Sequence, residues 1–222
     1  MDITGVAEVQ AIIADPRFVP PPPEPAGPVG TMTWLRASVA RFSSGEIHTR
    51  RRALVESELA GLDPARLGEQ AAKSTVEQTY VPVAVLAEAL GIKDILAAVA
   101  AVREVAKAYQ GVYDTPPDAA VTKLVDMLEP DDPEVVANRI GLLVQACDAT
   151  AALIKEPDQP PVRFTRRQAL VDVQVDDNTI PAGTIVRLDI SALPFGGDAR
   201  PCPGRAHALA LADGARVSPG TR

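Results

Sequence analysis

The chain has 222 residues, 46% of them apolar, and a formal net charge of −7. That length fits one domain or a small pair with a real core, and the acidic balance argues against broad nucleic-acid binding, which needs a basic surface. Two cysteines, Cys147 and Cys202, lack the paired spacing of a secreted disulfide scaffold and point to a reducing, cytoplasmic home. No apolar run approaches the roughly 18 residues that span a bilayer, and the amino terminus lacks a basic region followed by an apolar one. A soluble protein without a membrane partner is expected. The histidines, His48 and His207, serve zinc poorly.

Taken in order, Ala11-Ile-Ile-Ala-Asp-Pro16 reads as a short helix. Pro16, the run Pro20 to Pro23, Pro25 and Pro28 then predict an extended, polyproline-like arm. A stiff connector and a ligand for a proline-recognising domain both fit it. The expected division is a helix and arm over 1–30 and a single domain over 31–222. Ser43 with Glu46 forms a capping box and Gly61 a stop, which predicts a helix from about Ser44 to Ala60. Ile47, Leu54, Val55, Leu59 and Leu62 mark its apolar face; His48 falls inside that arc and Arg52 at its edge.

The middle of the chain predicts helices over Pro82 to Leu90, Asp94 to Gln110 and Pro117 to Glu129. Their alanines allow close packing and carry no chemistry. Asp131-Asp132 reads either as a metal pair or, better, as an N-cap followed by Pro133 and Glu134. The helix from Glu134 to Lys155 is apolar on nearly every side, which predicts a central, buried element. Asp148 and Thr150 are polar groups in that setting and need partners, since an unmet buried hydrogen bond costs about 1–3 kcal/mol. Thr150 can bond back to the carbonyl of Ala146. Pro157, Pro160 and Pro161 end the helix, and Gln168 to Val175 and Thr184 to Ile190 read as strands, with turns at Asp176-Asp-Asn178 and Pro181-Ala-Gly183. The fold class is therefore mainly α with a small β-sheet.

Near the carboxyl end, Phe195-Gly-Gly-Asp-Ala-Arg-Pro-Cys202-Pro-Gly204 places one cysteine between a glycine turn and a helix start. Pro203 suits the first helical position, and the free N–H groups and positive dipole end there favour a thiolate. Gly196 and Gly197 let the backbone approach a flat ligand. A buried structural cysteine is the alternative.

Phe195, Arg200, Cys202 and Gly204 fall at four of the five fixed places of the heme-binding loop of the cytochrome P450 family, and the chain resembles that family. Asp198 stands where the fifth place usually has glycine. The resemblance implies a truncated cytochrome P450-like fold holding heme b, its iron axially ligated by Cys202. It also implies propionate contacts from His48 and Arg52, which match a His-x-x-x-Arg pattern, from Arg200, and from Arg167 in the sheet, where solvent exposure is the alternative. Ala146-Cys147-Asp148-Ala149-Thr150 looks like the oxygen-activating segment, with Thr150 and Asp148 as the catalytic residues. Ala149 replaces the acid that normally precedes the threonine, and Asp148 lies about 100° away around the helix.

The implied activity is a monooxygenase inserting one oxygen atom from O2 into a small organic substrate, with a ferredoxin-type electron donor. Arg163, Arg166, Arg167 and Arg205 would help attract that donor. The alternatives are a noncatalytic helper that binds and stabilises a biosynthetic partner enzyme, and a gene remnant that folds poorly. The chain is about half the family's usual length, a size that buries a smaller fraction of its surface. Expected to be missing are the usual amino-terminal helix and sheet strands, two connecting helices with their Glu-x-x-Arg ion pair, the meander before the cysteine loop, and the strands that close the substrate pocket.

Overall fold

The computed structural model describes residues 1–111, 113–175, 178–197 and 200–220. Asp176, Asp177 and Asp198 lie outside the described residues, and with them part of one expected turn and the departure in the cysteine loop.

The molecule is built around α8 (Pro133–Lys155), about 35 Å long at 1.5 Å per residue. Asp132 caps it, its carboxylate accepting from Glu134 N at 2.8 Å, with Pro133 in the first turn. Asp131 accepts from Asp132 N and pairs with Arg139 at 3.2 Å, so both acids serve the helix start. Val136, Ile140, Leu143, Val144, Cys147, Thr150, Leu153 and Ile154 are buried at helical spacing. Burial is less complete than expected, because Gln145, Asp148 and Lys155 are exposed on one face.

Five helices meet α8 before the sheet: α2 (Met32–Ser38), α3 (Gly45–Ala60), α5 (Val81–Ala89), α6 (Ile95–Tyr109) and α7 (Asp118–Met127). The core shared by α2, α5, α6, α7 and α8 runs from Met32 and Leu35 through Val102 and Leu124 to Ile140 and Leu143. α3 starts differently from its capping-box reading. Ser44 is the N-cap with no side-chain cap bond, and the Ser43 hydroxyl donates instead to the carbonyls of Val39 and Ala40, both at 3.0 Å. Ile47 is 52% exposed, so the buried face of α3 is confined to Val55 and Leu59.

A second layer forms where α4 (Pro64–Lys73) crosses α9 (Arg205–Val217) beside the end of α8. α4 was not anticipated, although Asp63 caps it by accepting from Ala65 N at 2.9 Å and Pro64 opens it. The two helices meet backbone to backbone: a Cβ at Gly214 would lie 2.2 Å from the Gly68 carbonyl oxygen.

Two short strands near the amino terminus join the sheet. β1 (Asp2–Ile3) pairs parallel with β6 (Ile185–Asp189), and β2 (Phe18–Val19) pairs antiparallel with β3 (Phe164–Ala169), giving the order β1-β6-β3-β2. A helix, α1 (Val6–Ala14), joins these two short strands and buries Val9, Ile12 and Ile13 against the sheet. The strand expected over Gln168 to Val175 is split: β3 ends at Ala169, and β4 (Val173–Val175) pairs with β5 (Asn178–Ile180) in a separate two-stranded sheet. Residues 20–27, in the proline arm, have no regular structure.

Candidate functional site

The cysteine loop is a closed backbone turn. Phe195 has φ 60°, a left-handed conformation unusual for a residue with a side chain, and Gly196 follows at φ 89°. That double reversal lets Cys202 N donate to the Phe195 carbonyl at 2.7 Å, which fixes the cysteine relative to the turn. The Arg205 guanidinium lies over the Phe195 ring at 5.3 Å and ties the turn to the first residue of α9. Gly204 is the N-cap of α9, and a Cβ there would touch only Leu59 at an ordinary 3.8 Å. Its smallness therefore serves no contact inside the chain.

Cys202 is exposed, although protein atoms surround its sulfur. Burial pushes the thiol up, outweighing the Gly204 N–H and the Arg52 charge that favour the thiolate. The helix start thus lowers the cost of a thiolate without producing one unaided. Cys147 is buried in the core, and burial, with Asp148 beside it, pushes its thiol up to about 11. It is inert.

Beside the loop lies a cluster of cations. Arg167 sits on the inward side of β3, in the two-residue rhythm of Thr165 and Ala169, and is 5% exposed. The solvent-exposed alternative for Arg167 is thereby overturned. One guanidinium nitrogen donates to Thr165 Oγ1 at 3.1 Å and to the Arg166 carbonyl at 2.8 Å, while Nε is buried with no partner. Burial lowers the Arg167 pKa to about 9, with repulsion from Arg41 and Arg200 adding to the fall. Burial likewise lowers His48, and the charges of Arg200, Arg52 and Arg167 act in the same direction. Arg52 is held by Glu56 at 2.7 Å on the exposed side of α3. No ion pair among the described residues involves Arg41, Arg167, Arg200 or His48.

The structure thus brings together His48, Arg52, Arg167, Arg200 and Cys202. Arg41, on the 3-10 turn Ala40–Phe42, was missed; its signal was a cation within the otherwise apolar Val39-Ala-Arg-Phe42. The α8 residues stand apart from this group. Thr150 is fully buried, and its hydroxyl donates to the Ala146 carbonyl at 2.6 Å. Asp148 and Ala149 instead line a cavity of about 470 Å³ between α8, α6, the Ala40–Phe42 turn and the start of β3. Cys202 is not among its walls, so the cavity is a chamber adjoining the cation cluster through Arg41 and Thr165 rather than the cysteine site itself.

One long buried helix, a ring of shorter ones, a small sheet carrying an inward arginine, and a cysteine at the mouth of the last helix define a fold. It is the cytochrome P450 fold in shortened form. The chain is similar to P450BioI, whose structure is a complex with acyl carrier protein carrying hexadec-9Z-enoic acid; the TM-score is 0.73 at 14% identity over 97% of this chain and 83% of that one. It is similar to CalO2, with a TM-score of 0.73 at 16% identity over 96% of this chain and 81% of that one. The LnmZ cytochrome P450 hydroxylase of the leinamycin pathway of Streptomyces atroolivaceus aligns with a TM-score of 0.61 at 17% identity over 96% and 87%. No family model matches the chain, and no curated protein matches it in sequence.

The fold implies heme, and the residues present fit it. A buried guanidinium with an unpartnered nitrogen, in a cluster of cations of which only Arg52 has a paired acid among the described residues, is a donor set for carboxylates, and heme carries two. The open space at Gly196 and Gly204, where an added Cβ would meet no heavy atom closer than 3.8 Å, leaves room for a flat group to approach the cysteine loop. Among the described residues there is no group of three or more His, Cys, Asp or Glu side chains that could hold a bare metal ion, and no helix is long and apolar enough to cross a membrane.

Proposed function

We propose that the protein is a shortened heme-thiolate monooxygenase acting on a small organic substrate, in a reducing, cytoplasmic setting that suits its free cysteines. The observation that carries this reading is Arg167, buried and unpaired beside Cys202, His48, Arg52 and Arg200. When bound, heme supplies the reductive activation of O2, using two electrons from a ferredoxin-type donor and two protons to place one oxygen atom in the substrate and the other in water. Cys202 would hold the iron through its sulfur, since metal binding favours the deprotonated thiol over the burial that raises its free value. Arg167, Arg200, Arg52 and His48 would hold the propionates, whose charge would offset their mutual repulsion. The cavity beside α8 would hold the substrate. Asp148, exposed on the cavity wall, takes protons from solvent; Thr150 joins a relay only by releasing the Ala146 carbonyl.

That hydroxyl, together with Ala149 where an acid is expected, favours a second reading, the noncatalytic helper that stabilises a biosynthetic partner enzyme. Purified protein expressed with a heme precursor separates the two. Monooxygenase chemistry requires near-stoichiometric heme and a red-shifted Soret band in the reduced carbon monoxide complex, lost in Cys202→Ser. A colourless protein that copurifies with a partner would establish the helper.

A further inference from the structure

The chamber beside α8 and the cation cluster meet at one side chain, Thr165. Its hydroxyl accepts from Arg167 Nη1 at 3.1 Å and, by a longer bond, from Arg41 Nη2 at 3.4 Å. A hydroxyl oxygen has two acceptor positions and a single proton. Guanidinium groups take both positions here, and the proton meets no acceptor among the described residues. Two cations drawing on one neutral oxygen polarise its O–H bond into a stronger donor. The arrangement is a set of donors without an acceptor to match.

Arg41 supplies the accessible part of that set. It is half-buried, and both its hydrogen bonds leave from Nη2, to Thr165 and to Gln110 Oε1 at 3.5 Å, each at the limit of hydrogen bonding. Nε and Nη1 donate to nothing among the described residues, yet neither is sealed from solvent as Arg167 Nε is. Arg41 and Thr165 both line the chamber, whose walls carry Arg36, Arg41, Arg166 and Arg187 against a single acid, Asp148. Only Arg187 has an answering carboxylate, that of Asp2. Toward the cluster, Arg41 acts through charge. Burial lowers its pKa, with Tyr109 opposing and Arg200 adding to the fall, and Arg41 in turn adds to the effect of burial on Arg167. An anion beside Arg41 is therefore felt at Arg167.

We propose that the heme-free protein seats a small phosphate-type oxyanion on Arg41 and the Thr165 hydroxyl, at the chamber end of the cation cluster, and that this anion and heme oppose one another's binding. A tetrahedral oxyanion offers several acceptors at once, one for the Thr165 proton and others for the unused hydrogens of Arg41. Its charge offsets the repulsion among Arg41, Arg167 and Arg200 when no propionate is there to do so. The same offset weakens the pull of Arg167 and Arg200 on propionates, and the anion itself repels them. Linkage makes the opposition reciprocal, so heme loading responds to the free oxyanion. Inorganic phosphate and the phosphate group of a small organic ester present the same oxygens. The opposition rests on the heme-thiolate reading; the seat does not.

Isothermal titration calorimetry of the heme-free protein with inorganic phosphate and with glycerol 3-phosphate, in chloride buffers of matched ionic strength, tests the seat. Hemin titration followed by absorbance, with and without phosphate, tests the opposition. Arg41→Gln is expected to weaken phosphate at least about tenfold. Thr165→Val, which keeps the branched shape and removes the hydroxyl, should weaken it about threefold or more, with circular dichroism showing that both variants fold. Tighter binding of glycerol 3-phosphate would assign the seat to an ester, and the reverse order to the free ion. Phosphate should lower the apparent heme affinity at least about fivefold in the native protein and leave it unchanged in Arg41→Gln. No binding of either phosphate beyond that of chloride, or undiminished binding in both variants, would overturn the proposal, as would a heme affinity indifferent to phosphate. Protein that takes up no heme in any buffer yet holds phosphate through Arg41 would keep the seat, while the heme reading and the opposition fell together.

Discussion

A guanidinium at an inward strand position destabilises a fold unless an anion meets it. Arg167 shares the inner face of β3 with Thr165 and Ala169, and its pKa, lowered to about 9 by burial and then by Arg41 and Arg200, measures that unfavourable placement. Below both the folded and the unfolded pKa the side chain is charged in either state, so at neutral pH the native state bears the full cost. Arg167→Gln should therefore stabilise the heme-free protein, on the order of 1 kcal/mol or more. The same change should weaken heme retention at least about tenfold. Circular dichroism melts and hemochrome titration read the two effects separately. An arginine kept only for structure would show the reverse sign, with the variant melting lower before any heme is added.

Helices position the site through contacts that leave little room. His207 on α9 approaches the carbonyls of Leu59 at 3.1 Å and Leu62 at 2.9 Å, so Nε2 carries the proton. It closes the end of α3, the helix of His48 and Arg52, onto the helix that follows Cys202. α3 is joined to α8 at its other side by Arg50 and Arg51 on Glu134, and by Arg139 on Glu58 at 2.8 Å. α4 supports α9 from behind, where a Cβ at Gly214 would meet the Gly68 carbonyl oxygen at 2.2 Å and Ala71 Cβ at 2.8 Å. Because the first obstacle is backbone, Gly214→Ala must push the helices apart, at about 1–3 kcal/mol. Gly111→Ala, with open space around it and no positive φ, is the matched control and should change stability by less than about 1 kcal/mol. If the two variants melt together, the close crossing of α4 and α9 does not hold the cysteine helix in place.

At the scale of the whole molecule, several titrating groups share one direction. His48 is lowered by burial first and then by Arg200, Arg52 and Arg167. For Glu134 burial acts upward, but hydrogen bonds from Arg50 and Arg51 outweigh it and the net shift is down. Asp2, Asp15 and Asp189 are lowered by their arginine or backbone partners. Each of these groups binds fewer protons folded than unfolded through its own window, so stability is complete above the unfolded values and falls as pH drops. The decline should begin below about pH 6.5, where unfolded histidine titrates, and steepen through the carboxylate range near pH 4. Melting temperatures of the heme-free protein measured from about pH 8 to pH 4 should fall monotonically. Propionates beside His48 would reverse its shift, so heme-loaded protein should lose the upper part of that slope. A flat profile without heme would remove the cation cluster as an electrostatic unit.

Much of the fold was legible in residue order alone. The apolar rhythm of 133–155, the Asp132-Pro133-Glu134 start, the alanine-rich helix ending near Tyr109, and the turn-then-helix spacing around Cys202 are local patterns, and local backbone preference and periodicity suffice to read them. α1 was legible only as the fragment Ala11–Pro16, and α4 was overlooked despite its Asp-Pro cap. The short strands β1 and β2 could not be read, because two residues carry no periodicity and exist only by pairing with β6 and β3, more than 140 residues away. Long-range placement also decided the charges. Sequence determined that Arg41, Tyr109 and Arg167 exist; the tertiary structure alone took away much of their water and set Arg41 near both of the others, since desolvation and charge proximity are properties of what surrounds a side chain rather than of its neighbours along the chain.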